Sequence, residues 1–179
     1  MEQKVSNITQ DDNKKMKANV GAGFRALLEE KLRGPSDRND PGKQTYHFQP
    51  VLTESEARAY APLTLAFLGD AVYELAIRTM LVQRGDMRPN ELNRRSSLLA
   101  KAHAQSDAMA VIEPMLDETE ADIYRRGRNA KSHTMAKNAT VGDYRRATGF
   151  ETLIGYLYLS GKQERMLELI RIAVRVNGQ

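Results

Sequence analysis

The stretch Leu63–Arg84, LTLAFLGDAVYELAIRTMLVQR, decides the fold. Pro62 stands just ahead of it, where a helix tolerates the missing N–H, and Gly85 stands just behind it as a stop. Leu65, Leu68, Val72, Leu75 and Thr79 form one stripe at helical spacing. Phe67, Asp70, Glu74 and Ile77 form a second, roughly opposite. A helix that is apolar on more than one side is covered from two directions, here by its own core and by a partner subunit. Asp70 then lies amid apolar surface, flanked by Phe67-Leu68-Gly69 and Ala71-Val72. An unpaired carboxylate there costs on the order of several kcal/mol, so Asp70 needs a cation, a metal or a proton. Arg78 and Arg94 are candidate ion-pair partners, and Glu74 reads as a dimer-contact or solvent-facing group.

Working outward, Phe150–Leu159, FETLIGYLYL, reads as a second buried helix, opened by Thr148 and broken by Ser160-Gly161. Glu151 stands at its start, with Gly155 and Tyr158 on the same face. Glycine inside a helix costs about 1 kcal/mol relative to alanine, a loss that close packing against another helix justifies. Aspartate and glutamate are hard oxygen ligands suited to magnesium or manganese, and magnesium favours few carboxylates plus waters. Thr148-x-x-Glu151 equally fits a capping box, in which the glutamate only satisfies a backbone donor.

The rest of the chain from about Pro50 onward is helical in pattern, with no period-2 alternation bounded by turns. Pro89 opens NELNRRSSLLAKAHAQ, a further helix covers Ser106 to Ile112, and Thr119 with Asp122 three residues on caps a short helix reaching Tyr124–Arg126. GRNAKSHTMAKNATVG has loop composition, and the last helix runs from Gln163 to about Val176. The expected class is all-α. Residues 51–179 form the folded domain, and residues 1–50 form a largely disordered extension with a short amphipathic helix over 22–33 and a Pro/Gly-containing linker after it.

Charge is concentrated rather than spread. Between Tyr124 and Arg146 seven cations face the single acid Asp143, a net of +6 in a chain whose total is +4. Such clustering marks either a polyanion partner or a solvated loop. Cysteine is absent, which excludes disulfides, a cysteine nucleophile and thiolate zinc sites. His47, His103 and His133 have no companion at metal-binding spacing. Neither a phosphate-cradling glycine loop nor a serine-histidine-aspartate arrangement is present. No run reaches the roughly 18 apolar residues of a membrane span, and the first residues lack a signal-peptide core, so the expected location is cytoplasmic.

Two motifs together resemble a known family. Phe67-Leu68-Gly69-Asp70-Ala71-Val72 resembles the signature helix of ribonuclease III, and Phe150-Glu151-Thr152-Leu153-Ile154-Gly155 resembles that family's second acidic motif. The stretch Asn93–Ala104 and the loop Arg125-Arg126-Gly127-Arg128-Asn129-Ala130-Lys131, in a short chain with no double-stranded-RNA-binding domain after them, look like the Mini-ribonuclease III branch. The resemblance covers about Pro50 to Val176 and implies the ribonuclease III endonuclease-domain helical fold.

It also implies a homodimer that cuts double-stranded RNA, with 5′-phosphate and 3′-hydroxyl products and large-subunit (23S) ribosomal RNA precursor as substrate. Asp70 and Glu151 would hold Mg2+, or Mn2+ in its place, and Phe67 would pack across the two-fold interface. Arg125, Arg126, Arg128 and Lys131, with Lys101 near the cleavage centre, would contact RNA phosphates, so binding would fall steeply with salt. Leu63, Ala66 and Thr148 stand where the family has further acids. That departure leaves a catalytically inactive double-stranded-RNA-binding protein as the alternative, and a helical DNA-binding or interaction protein as a third.

Overall fold

The computed structural model describes residues 52–131 and 140–178. The expectations for residues 1–50 and for Lys137 lie outside them. Among the described residues the chain is helical throughout, as expected: α1 (Glu54–Ala59), α2 (Pro62–Gln83), α3 (Pro89–Ala100), α4 (Ala102–Ile112), a 3-10 turn (Glu113–Met115), α5 (Glu118–Arg128), α6 (Val141–Leu159) and α7 (Gln163–Asn177). None of these helices is long and apolar enough to cross a membrane.

Local chemistry sets the boundaries. Pro62 and Pro89 occupy the first turns of α2 and α3, and Gly85, with φ 128°, follows the end of α2. α5 is capped by Asp117 rather than Thr119: the Glu120 N–H donates to Asp117 Oδ1 (2.8 Å) and the Asp117 N–H donates back to Glu120 Oε2 (3.1 Å). α3 and α4 are separate because Lys101 adopts an extended conformation (φ −64°, ψ 145°), so the break falls four residues earlier than the expected one after Gln105.

α6 also starts earlier than expected. Its N-cap is Thr140, whose hydroxyl accepts from the Asp143 N–H at 3.0 Å. Thr148 lies mid-helix, and its hydroxyl donates to the Tyr144 carbonyl at 3.0 Å. Glu151 is therefore an interior helix residue, and the capping-box alternative is excluded.

α6 is the centre of the domain. It touches α2, α4, α5 and α7, and Phe150, Leu153, Ile154, Tyr156 and Leu157 on it are fully buried. Its contact with α2 is backbone on backbone. A side chain at Gly69 would overlap the Glu151 carbonyl and approach the Gly155 nitrogen at 2.7 Å, and a side chain at Gly155 would overlap the Leu65 carbonyl. A similar crossing joins α5 to α6. A methyl on Gly127 would run into the Thr152 hydroxyl, and one on Gly149 would lie 2.6 Å from the Tyr124 ring. Gly127 is thus a helix-crossing residue, not the loop glycine that its basic neighbours suggest.

The core stripe of α2 differs from both expected stripes. Leu65, Gly69, Tyr73, Ile77 and Leu81 face inward, and Tyr73 meets Phe150 edge-on with centroids 5.1 Å apart. The Tyr73 hydroxyl donates to the Leu99 carbonyl at 3.3 Å, which ties α3 to the core. Leu68 and Val72 are only half-buried, whereas Leu75 and Phe67 are exposed, Phe67 at 83 %. Asp70 is likewise exposed in the single chain rather than sealed in apolar surface.

If the α2–α6 crossing needs bare backbone, Gly155→Ala must push the helices apart. Urea denaturation should show a loss of about 1–3 kcal/mol, and an unchanged midpoint with an unchanged slope would contradict the crossing.

Candidate active site

Asp70 follows Gly69 directly, and Glu151 precedes Gly155 by one helical turn, so the crossing that joins α2 to α6 sets one acid beside the other. Their electrostatics agree with that proximity. The Glu151 carboxyl is pushed up to about 7, first by burial and then by the negative charge of Asp70, while a hydrogen bond from Gln105 pulls the other way. Asp70 is also raised, by partial desolvation and then by Glu74. The more buried member of the pair is Glu151, the reverse of the expected emphasis on Asp70.

The arginines that might have neutralised Asp70 are engaged elsewhere. Arg78 pairs with Glu74 at 3.0 Å, and Arg94 donates twice to Glu91 at 2.9 Å. Glu74 accordingly pairs with Arg78 in a half-exposed position one turn beyond Asp70. Gln105, only 1 % exposed, donates from Nε2 to Glu151 Oε1 at 3.2 Å, and its own Oε1 is buried without a partner among the described residues.

Two neighbouring carboxylates, Glu151 raised by burial and by the charge of Asp70, and Asp70 unpaired with any cation of the described residues, form a donor set that favours a hard divalent ion. Such an ion's water shell also supplies O–H donors of the kind the Gln105 carbonyl oxygen lacks. Among the described residues no group of three or more acids and histidines is placed to hold a metal.

The cations expected to meet RNA separate into two groups. Arg125 and Arg128, in the last turn of α5, and Lys131 beyond it are exposed. Arg126 departs from that expectation. Its guanidinium donates to the Arg58 carbonyl (2.9 Å) and the Tyr60 carbonyl (3.0 Å), clamping α1 onto α5. Lys101, at the α3–α4 break, is exposed and lines a groove with Glu74, Arg78, Asn93 and Ser97.

The chain is similar to known proteins. Residues 63–162 match the ribonuclease III domain model. Mini-ribonuclease 3 of Brevibacillus brevis is 48 % identical over 115 residues, which cover 64 % of this chain and 86 % of that protein. Mini-ribonuclease 3 of Enterococcus faecalis is 49 % identical over 119 residues, covering 65 % and 90 % respectively. The chain belongs to the ribonuclease III family, in its Mini-ribonuclease 3 branch.

A crystal structure of a Fusobacterium nucleatum protein, 37 % identical, superimposes with a TM-score of 0.61 over 67 % of this chain and 96 % of that one. The activity class is that of a ribonuclease III-type endoribonuclease. At the positions where the ribonuclease III resemblance leads one to expect further acids, Leu63 is 40 % exposed, whereas Ala66 and Thr148 are buried.

Gln105 is not among the residues that the sequence singles out. Its signal is a lone amide in the apolar helix AHAQSDAMAVI, which says that a partner is needed but not which one. A second network is equally silent in the sequence: Arg146 donates to Ser106 Oγ (2.6 Å) and Asp143 Oδ1 (3.1 Å), tying the start of α6 to α4. Thr140 and then Ser106 hold Asp143 down at about 2.

Because folding raises Glu151 from 4.5 to about 7, its contribution to stability is complete below pH 4.5 and is lost as pH rises through 7. Metal-free Glu151→Gln should therefore gain stability over the wild type as pH goes from 5 to 8. A divalent ion at pH 8 should raise the melting temperature of the wild type but not of the variant. Parallel melting curves at both pH values would refute this.

Proposed function

We propose that the protein is a magnesium-dependent endoribonuclease that hydrolyses phosphodiester bonds in double-stranded RNA, with Asp70 and Glu151 as the acids that hold the ion. The observation that carries this reading is the pair itself: two carboxylates brought together by a bare helix crossing, one of them at a pKa of about 7, with no cation of the described residues paired to Asp70. When bound there, Mg2+, or Mn2+ as a substitute, would lower the pKa of a water and offset charge on the phosphate. Asp70 and Glu151 supply the oxygens, and Gln105 holds Glu151 in place. Products would carry 5′-phosphate and 3′-hydroxyl ends.

Arg125, Arg128 and Lys131 form the exposed basic surface that suits RNA phosphates, with Lys101 near the acids as a further contact. A-form RNA offers phosphates and 2′-hydroxyls more readily than base edges, so such a surface recognises the duplex by shape. Large-subunit (23S) ribosomal RNA precursor is the substrate proposed from the resemblance, and the cytoplasm the location. Residues 51–179 would constitute the catalytic domain and residues 1–50 an extension.

A homodimer is the proposed assembly. Its support is the stripe Phe67, Ala71 and Leu75, exposed along α2. This stripe borders an apolar groove shared with Met166, Leu167 and Ile170 of α7. A run of exposed apolar residues beside an apolar groove suits an interaction site, and two subunits would supply one centre for each strand.

The deciding experiment is cleavage of a long RNA duplex in magnesium, with wild type and Asp70→Asn side by side. Cleavage should stop in the variant and in chelator while duplex binding persists. Binding without cleavage by the wild type would establish the inactive RNA-binding alternative instead. Phe67→Glu should convert the dimer to monomer in analytical ultracentrifugation at micromolar concentration, and an unchanged sedimentation coefficient would refute the proposed interface.

A further inference from the structure

The acid that bears most of the burial at the site is held by a neutral side chain. Gln105 stands in the first turn of α4, beyond the Lys101 break, and is 1 % exposed. Its Nε2 donates both to Glu151 Oε1 (3.2 Å) and to the Ala100 carbonyl at the end of α3 (3.1 Å). The two N–H bonds of the amide are thereby fully used. One fixes the amide to the α3–α4 turn, and the other reaches across to α6. Its remaining atom, Oε1, is buried without a partner among the described residues.

The chemical choice is informative. A lysine or arginine here would neutralise Glu151 and compete with any cation. A neutral amide donor restricts the carboxylate's rotation while leaving its charge and its second oxygen available. Such outer partners commonly orient metal-binding carboxylates and tune their affinity. The anchor at Ala100 matters equally, because an amide free to rotate could not hold the carboxylate in one direction. The break at Lys101 exposes that carbonyl, so the split of one long helix into α3 and α4 is part of the device.

We propose that Gln105 is a positioning residue that aims the Glu151 carboxylate at the ion shared with Asp70. This rests on the metal-site reading above, and two readouts separate the two.

In metal-free protein, the Gln105 side-chain amide resonance should be protected from exchange and should shift in Glu151→Ala. An unprotected or unshifted resonance overturns the assignment, whatever the metal does. In a Mn2+ titration followed by electron paramagnetic resonance of the free ion, Gln105→Leu should weaken binding by about 10-fold. Duplex RNA binding should stay near wild type, while the thermal midpoint falls because two buried acceptors lose their donor, and Asp70→Asn serves as the control that abolishes ion binding. Wild-type affinity in Gln105→Leu overturns the positioning role while leaving the nuclease reading intact. Failure of the wild type itself to bind Mn2+ overturns both the metal site and the aim proposed for Gln105.

Discussion

The structure depends on one close approach: the crossing of α2 and α6 at Gly69 and Gly155, where neither helix has room for a side chain. Each glycine costs helix propensity, about 1 kcal/mol relative to alanine. Tight packing of Leu65, Tyr73 and Ile77 of α2 against Phe150, Leu153 and Ile154 of α6 offsets that cost, all of them at most 1 % exposed. The functional consequence follows from adjacency. Asp70 comes immediately after one crossing glycine and Glu151 one turn before the other, so the contact that builds the core also brings two like charges together. Their repulsion, added to burial, holds Glu151 at about 7. The domain carries that unfavourable arrangement at its centre, where a cation would relieve it.

Around this crossing the other helices act as supports. α5 meets α6 at a second bare crossing, Gly127 on Gly149, which fixes the direction of its basic last turn. Arg126 locks that turn to α1, leaving Arg125 and Arg128 exposed. Arg165 grips Glu120 at 2.9 Å and the Met115 carbonyl at 2.8 Å, so α7 holds the start of α5 as well. The basic surface and the acidic centre are therefore set by packing on one helix, α6, rather than by independent loops.

Much of this is legible in the amino-acid sequence. Pro62, Gly85 and Pro89 mark helix ends because their backbone restrictions act locally, and the final helix, Gln163–Asn177, follows from a clean apolar stripe. The start of α6 is not legible, because Thr140 and Thr148 each have an acid three residues on, Asp143 and Glu151. Both look like caps, and only tertiary packing, such as that of Gly149 against Tyr124, selects the first. The stripes on α2 mislead for a related reason. The true inward face includes a glycine and a tyrosine, whereas Leu75 and Phe67 lie outside in the single chain. Pairing of Asp70 with Glu151 comes from the family resemblance, since nothing local links residues so far apart. Gln105 stays hidden because an amide's partner is chosen by the fold.

The most direct measurement is a carbon-13 NMR titration of the Glu151 carboxyl in metal-free protein, wild type against Asp70→Asn. Glu151 should titrate near 7 in the wild type. In the variant its midpoint should fall, yet stay above the ordinary carboxylate value, because burial remains after the Asp70 charge is gone. A midpoint that ignores the Asp70 substitution would mean that the two acids do not share a site.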